Sequence, residues 1–171
     1  MNKPMVYLET SFFRYLIAHP SREEPKSSRQ KLTRGWWQEH RNKYSICISN
    51  AVLVEFLEMA VGRIPDQEAS DRVALLGQAQ SLPLEGARME LAGSLLQPKG
   101  PLPRSAELDA LHRAVAAYHG CEFVLTWNFK HLNNAAIKRR AGRIIRYYGY
   151  ESPTLCSPEE LEGVDMGRDD A

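Results

Sequence analysis

Long apolar runs are missing from this chain. Nothing in its 171 residues approaches the roughly 20 consecutive apolar residues of a membrane-spanning helix. Cysteine is scarce too. Cys47, Cys121 and Cys156 are the only three, too scattered for a metal spacing and too few for a disulfide framework. Cys47 and Cys121 lie in or beside apolar segments, which suits small core residues in a reducing compartment. Charge of one sign is absent, the formal net charge being +1, so electrostatics alone name no partner. A local basic patch stays compatible with that balance. No glycine-rich phosphate loop is present, and no serine–histidine or cysteine–histidine arrangement suggests a nucleophile. The first residues lead straight into a strand-like segment, so a chain without a signal peptide, soluble and cytoplasmic, is expected. What remains is ordinary globular composition, 43% hydrophobic and 25% charged. That suits one domain over residues 1–171, with a frayed acidic tail at 165–171.

Strand and helix patterns alternate along the chain. Met5 to Leu8 is a short apolar strand, and Thr10 or Ser11 is placed to cap a helix carrying Phe12, Phe13 and Leu16. Residues 19–28 form a polar loop. Residues 29–43 read as a basic helix with Trp36 and Trp37 as packing or dimer contacts. Tyr44 to Ser49 is a second strand, with Ser49 or Asn50 capping the helix that contains Glu55. Pro65 opens a helix bearing Val73, Leu75 and Leu76, and Leu82–Leu84 is a third strand or an extended connection. Residues 85–96 are helical and 97–103 form a loop. Leu108, Leu111, Val115 and Tyr118 then recur at helical spacing until Gly120 stops the helix. Phe123 to Thr126 is a strand suited to burial on both faces. Residues 135–148 form a helix with a basic face of Lys138, Arg139, Arg140, Arg143 and Arg146. Thr154–Cys156 is a last strand, and Ser157-Pro-Glu-Glu opens a small helix. The fold class expected is α/β, a three-layer α/β/α sandwich with a central, mostly parallel sheet.

That architecture places every strand's C-terminal end on one edge. Glu9 and Asn128 follow strands directly, while Glu55 and Asp109 stand in early turns of helices. Three carboxylates and a carboxamide are hard oxygen ligands of the kind Mg²⁺ or Mn²⁺ takes. Ionised acids about 4 Å apart repel by roughly 4 kcal/mol unless a cation offsets them. Thr10 and Thr126 are candidates to orient a carboxylate. Each residue also has a simpler role: Glu9 and Asp109 suit a helix N-terminus, Glu55 a solvated face and Asn128 a turn. His112 and His119 read as core-edge or surface histidines. Another doubly wound domain, phosphatase-like or nucleotide-binding, stays open, although the missing glycine-rich loop counts against it.

Four segments carry a family resemblance: Val6-Tyr-Leu-Glu-Thr-Ser11, Ile48-Ser-Asn-Ala-Val-Leu-Val-Glu55, Asp109-Ala-Leu-His112 and Val124-Leu-Thr-Trp-Asn128. In order and spacing the chain resembles the PIN domains, in particular the VapC-like toxin ribonucleases of type II toxin–antitoxin systems. The resemblance implies an α/β/α nuclease that uses Mg²⁺ or Mn²⁺ to cut RNA, often a homodimer, with an antitoxin protein as partner. It implies catalytic roles for Glu9, Glu55, Asp109 and Asn128, with Glu9, Asp109 and Asn128 holding one metal ion. Glu55 would help bind the ion or orient the attacking water. Lys138, Arg139, Arg140 and Arg143 are the expected RNA-binding residues. Two positions depart from the family's acidic quartet, Glu9 and Asn128 standing where Asp is usual. Glu is longer by one methylene, about 1.5 Å, and Asn removes a negative charge. The alternative is therefore a degenerate PIN domain that binds RNA or a protein without cutting.

Overall fold

A computed structural model describes residues 2–58 and 66–162. Five strands form one sheet: β1 (Met5–Leu8), β2 (Ser45–Ser49), β3 (Gln80–Leu82), β4 (Phe123–Leu125) and β5 (Thr154–Cys156). Their order is β3-β2-β1-β4-β5 and every pairing is parallel. The helices are α1 (Thr10–Ile17), α2 (Lys26–Glu39), α3 (Asn50–Glu58), α4 (Asp66–Leu76), α5 (Ala87–Leu95), α6 (Glu107–Tyr118), α7 (Ala135–Tyr147) and α8 (Pro158–Glu162). The expected α/β/α class holds, and the sheet is wholly parallel.

The strand order determines where a ligand can enter. The crossover from β1 to β2 runs one way across the sheet, and the later crossover that delivers β4 runs the other way. Right-handed crossovers then put α1–α4 on one face and α5–α7 on the opposite face. The chain parts between β1 and β4, which opens a crevice at their C-terminal ends. Glu9 and Thr126 are the residues immediately past those two ends. The Glu9 amide donates to the Leu125 carbonyl at 3.1 Å, and the Thr126 amide to Cys156 at 3.0 Å. Ladder hydrogen bonds thus continue one residue beyond the strands and hold the crevice rim.

Several local expectations shift. Glu9, not Thr10 or Ser11, caps α1: its backbone is extended and its carboxylate accepts the Ser11 amide, while Thr10 and Ser11 are already helical. The basic helix α2 begins at Lys26 and is followed by a 3-10 turn over Arg41–Lys43. Trp36 is fully buried, stacked on Tyr44 at 5.6 Å and edge-on to Phe12, so it belongs to the core. The third strand lies two residues earlier than Leu82–Leu84, because Ser49 pairs with Leu82. Pro65 and the acidic tail at 165–171 lie outside the described residues.

The stripe chosen for α6 is also corrected. Leu108 is 43% exposed, whereas Ala110, Ala114, Val115, Ala116 and Ala117 are buried. Val115 and Ala116 join the sheet's core, while Ala110, Ala114 and Ala117 meet Leu91 and Leu95 of α5 and Ile145 of α7. Small side chains let α6 pack closely on both neighbours, and His112 is carried inward with them. Gly120 ends α6 at φ +72°, as a C′ glycine does.

Candidate metal centre

Glu9 leaves the buried end of β1 and is 5% exposed. One oxygen of its carboxylate is heavily engaged. Glu9 Oε2 accepts the Ser11 amide at 3.1 Å, the Ser11 hydroxyl and the Thr126 hydroxyl at 2.8 Å. Thr126 is itself fixed, since its Oγ1 accepts the Asn128 amide at 2.9 Å. The Ser11 hydroxyl accepts the Trp127 amide at 2.8 Å. The loops after β1 and β4 are stitched together through this one carboxylate oxygen. Glu9 Oε1 accepts no hydrogen bond among the described residues.

Glu55 arrives from α3, one and a half turns after β2. Its Oε2 accepts the Thr10 hydroxyl and lies 2.8 Å from His112 Nε2. Its Oε1, like that of Glu9, has no partner among the described residues. Burial pushes the Glu55 carboxyl up, but the hydrogen bond and charge of His112, the Thr10 hydroxyl and the Arg14 charge outweigh it and hold the pKa below 4.5. Burial alone would lower the His112 imidazole. The bond to Glu55 and the charges of Glu9, Glu55 and Asp109 prevail and hold it above 6.5. Behind His112, the Tyr7 hydroxyl lies 2.7 Å from Nδ1 and 2.7 Å from the Ser49 hydroxyl. Tyr7 is wholly buried, which drives its hydroxyl well above 10.

Asp109 stands in the first turn of α6 and faces the loop after β4. Its Oδ1 accepts the Asn128 side-chain amide at 3.0 Å, and its Oδ2 lies 2.7 Å from His131 Nδ1. The Asn128 carbonyl oxygen accepts the His131 amide at 3.0 Å, which fixes which end of the carboxamide meets Asp109. Arg113, one turn after Asp109, donates to the Leu132 carbonyl at 2.9 Å and so holds the far end of the same loop.

All four residues proposed from sequence line one cleft. Glu9, Glu55, Asp109 and Asn128 border a cavity of about 600 Å³, together with Ser11 and Arg14. Glu9 and Glu55 also cluster with the fully buried His112, each of the three offering a ligand atom within 4.8 Å of the others. The donor set fits a divalent cation: Glu9 and Glu55 each keep an unengaged carboxylate oxygen, while both ring nitrogens of His112 are already engaged, by Glu55 and Tyr7. Thr10 and Thr126 bond to Glu55 and Glu9 respectively. Lys138 turns away, its Nζ donating to Asn133 at 2.7 Å and to the Leu155 carbonyl at 3.1 Å, while Arg139, Arg140 and Arg143 are exposed. His119 lies near Pro83, apart from the cleft residues. His112 and His131 were not among the expected site residues. The signal for His112 was its position three residues after Asp109, which puts both on one helix face.

Structural relatives share this architecture. VapC20 of Mycobacterium tuberculosis, described as a Sarcin-Ricin loop cleaving toxin, superposes with a TM-score of 0.52 at 17% identity, covering 73% of this chain and 91% of that one. FitAcB of Neisseria gonorrhoeae gives a TM-score of 0.59 at 12% identity, covering 92% of this chain and all of that one. VapBC2 of Rickettsia felis, solved with a DNA fragment from their promoter, gives 0.52 at 15% identity, covering 90% and 98%. No curated protein matches by sequence. The family model for the PIN domain matches residues 6–138, from the first buried residue of β1 into α7. That span holds β2, β3, β4, all but the first residue of β1, and all four acidic and amide positions at the crevice, and this chain belongs to the PIN domain family.

Proposed function

We propose that this protein is a metal-dependent endoribonuclease and the toxin of a toxin–antitoxin pair. The observation that carries the proposal is the convergence of Glu9, Glu55 and Asp109, from three separate elements, on one cleft at the sheet's switch point. Membership in a family of typically metal-dependent nucleases supports it. The VapC20 and VapBC2 descriptions support the toxin role and a protein partner. A homodimer and a cytoplasmic setting accord with the same reading, and no described helix is long and apolar enough to cross a membrane.

Glu9, Glu55 and Asp109 would hold Mg²⁺ or Mn²⁺, with Asn128 and His112 beside them. The ion would offset the crowded carboxylates and polarise a phosphoryl oxygen. Glu55 is the residue to accept a proton from the attacking water, because it lines the cleft and its Oε1 has no partner among the described residues, while Oε2 is anchored by Thr10 and His112. His112 stabilises the ionised carboxylate and is itself braced by Tyr7. Attack in line on phosphorus breaks the bond to the 3′ oxygen, which takes up a proton and leaves as the 3′-hydroxyl. The products carry 5′-phosphate and 3′-hydroxyl ends. Asn128 acts on Asp109, holding one carboxylate oxygen through its amide.

Mn²⁺-dependent cleavage of single-stranded RNA by the wild type, falling at least a hundredfold in Asp109→Asn, is the expected result. Equal cleavage by both proteins removes the proposal. One observation favours the second reading, a PIN domain that binds without cutting: the Asn128 carbonyl is occupied by the His131 amide, so the amide faces the site as a donor. RNA affinity retained in chelator, with no cleavage under any divalent ion, would select that reading.

A further inference from the structure

The acidic cleft continues past its own rim. Glu55 and Asp109 border a second depression of about 530 Å³, whose far wall is Arg104 with Ser105 and Glu107. Arg104 in turn borders a third depression, also about 530 Å³, that it shares with Gln97, Pro98 and Arg140. Successive hollows share walls: Glu55 and Asp109 border the first and second, and Arg104 the second and third. They run from the carboxylates, over the start of α6, to the surface between the 97–103 loop and α7. Arg14 and Lys26 line the main cleft.

The exposed cations Arg14 and Lys26 line the main cleft with the carboxylates and border neither of the other hollows, whereas Arg104 and Arg140 line the hollow that no carboxylate borders. Arg104 donates only through Nε, to the Gln97 carbonyl at 3.3 Å. Its terminal nitrogens form no hydrogen bond or ion pair among the described residues, nor do the side chains of Arg14, Lys26 and Arg140. Glu107 opposes Arg104 in the second hollow, and Glu68 lines the main cleft paired with Arg72 at 3.2 Å. On α7 it is Arg140 that reaches the groove, since Lys138 is spent on Asn133 and the Leu155 carbonyl.

We infer that this groove is the track of a single strand of RNA, with Arg104 and Arg140 holding phosphates on one side of the acidic centre and Arg14 and Lys26 on the other. A polyanion crossing a carboxylate cluster needs cations on both sides, and a flexible strand can follow a path that turns over the end of a helix. This inference rests on the nuclease reading and adds where the substrate lies. It also replaces a general basic face on α7 with specific residues.

The test is anisotropy of a fluorescein-labelled single-stranded RNA in EDTA, read as affinity against salt. Each phosphate contact on a single strand contributes about 0.7 to the log–log slope. Arg104→Ala is expected to lower the slope by about 0.7 and weaken binding about fivefold at 0.1 M salt, with Arg104→Ala/Arg140→Ala lowering it by about 1.4. Arg14→Ala should behave like Arg104→Ala. Lys43→Ala, near the start of β2 at the opposite sheet edge, should leave the slope unchanged. An unchanged slope in the double variant overturns the track, as does an equal loss in Lys43→Ala or tighter binding of duplex than of single strand. Wild-type cleavage in Mn²⁺ is measured alongside. Cleavage with unchanged slopes overturns the track alone, whereas the expected slopes without cleavage support the track and remove the nuclease.

Discussion

At the scale of single residues, the chain of contacts behind Glu55 is the most consequential feature. Tyr7, Ser49 and His112 are all buried, and each leans on the next across 42 to 105 residues of sequence. Tyr7→Phe keeps the ring and removes one hydroxyl, leaving the Ser49 hydroxyl and His112 Nδ1 without their partner. A loss of about 1–3 kcal/mol is expected from stranding buried polar groups, read as a lower urea midpoint. Ser49→Ala in the Tyr7→Phe background should then cost less than in the wild type, because the two share one bond. Full additivity would show that the hydroxyls act independently. Such contacts were illegible in the sequence for a physical reason. A lone histidine inside an alanine-rich helix carries no mark of a tyrosine 105 positions away. Glu9, Glu55, Asp109 and Asn128 were legible because each follows a strand or stands in the first two turns of a helix, and topology alone sends those positions to one edge.

At the scale of elements, capping decides more than propensity. Helix α8 has five residues and is held by a reciprocal pair: the Ser157 amide donates to Glu160 Oε2 at 2.7 Å, and the Glu160 amide donates to the Ser157 hydroxyl at 3.3 Å. Burial nudges the Glu160 carboxyl upward, but the Ser157 amide, the Asn133 amide, the Ser157 hydroxyl and the Lys138 charge together hold it below 4.5. A carboxyl depressed by folding stabilises the fold fully above its unfolded pKa and loses that contribution as pH falls through the folded value. The difference in urea midpoint between the wild type and Glu160→Gln should thus be constant above pH 4.5 and shrink below it. A difference that persists down to about pH 3 would show that the charge is irrelevant to the cap. This helix was readable from Ser157-Pro-Glu-Glu, as were β1, β2, β4 and β5 from their apolar runs. The edge strand β3 was misplaced because two of its three residues are exposed, leaving no alternation to read. The inner face of α6 was misjudged because alanines pack it, and alanine gives periodicity arguments little to hold.

At the scale of the whole molecule, the site joins parts of the chain that nothing else requires to meet. Glu9 belongs to the β1–α1 junction, Glu55 to α3 and Asp109 to α6, so a cation bound among them binds the folded state and not the unfolded chain. Glu9 and Glu55 each offer a ligand atom within 4.8 Å of the other, and like charge at such range opposes their approach until it is offset. Binding therefore appears as stability, even with no substrate present. At a Mn²⁺ concentration of ~100 times the dissociation constant, the gain is roughly 2.7 kcal/mol, which for a chain of 171 residues raises the melting temperature by about 5–10 °C. EDTA should reverse the shift. Asp109→Asn and Glu55→Gln should keep the fold, as judged by circular dichroism, and lose most of the Mn²⁺ response. A wild-type melting temperature that ignores millimolar Mn²⁺ would remove the metal from the centre and leave the carboxylates as elements of the fold alone.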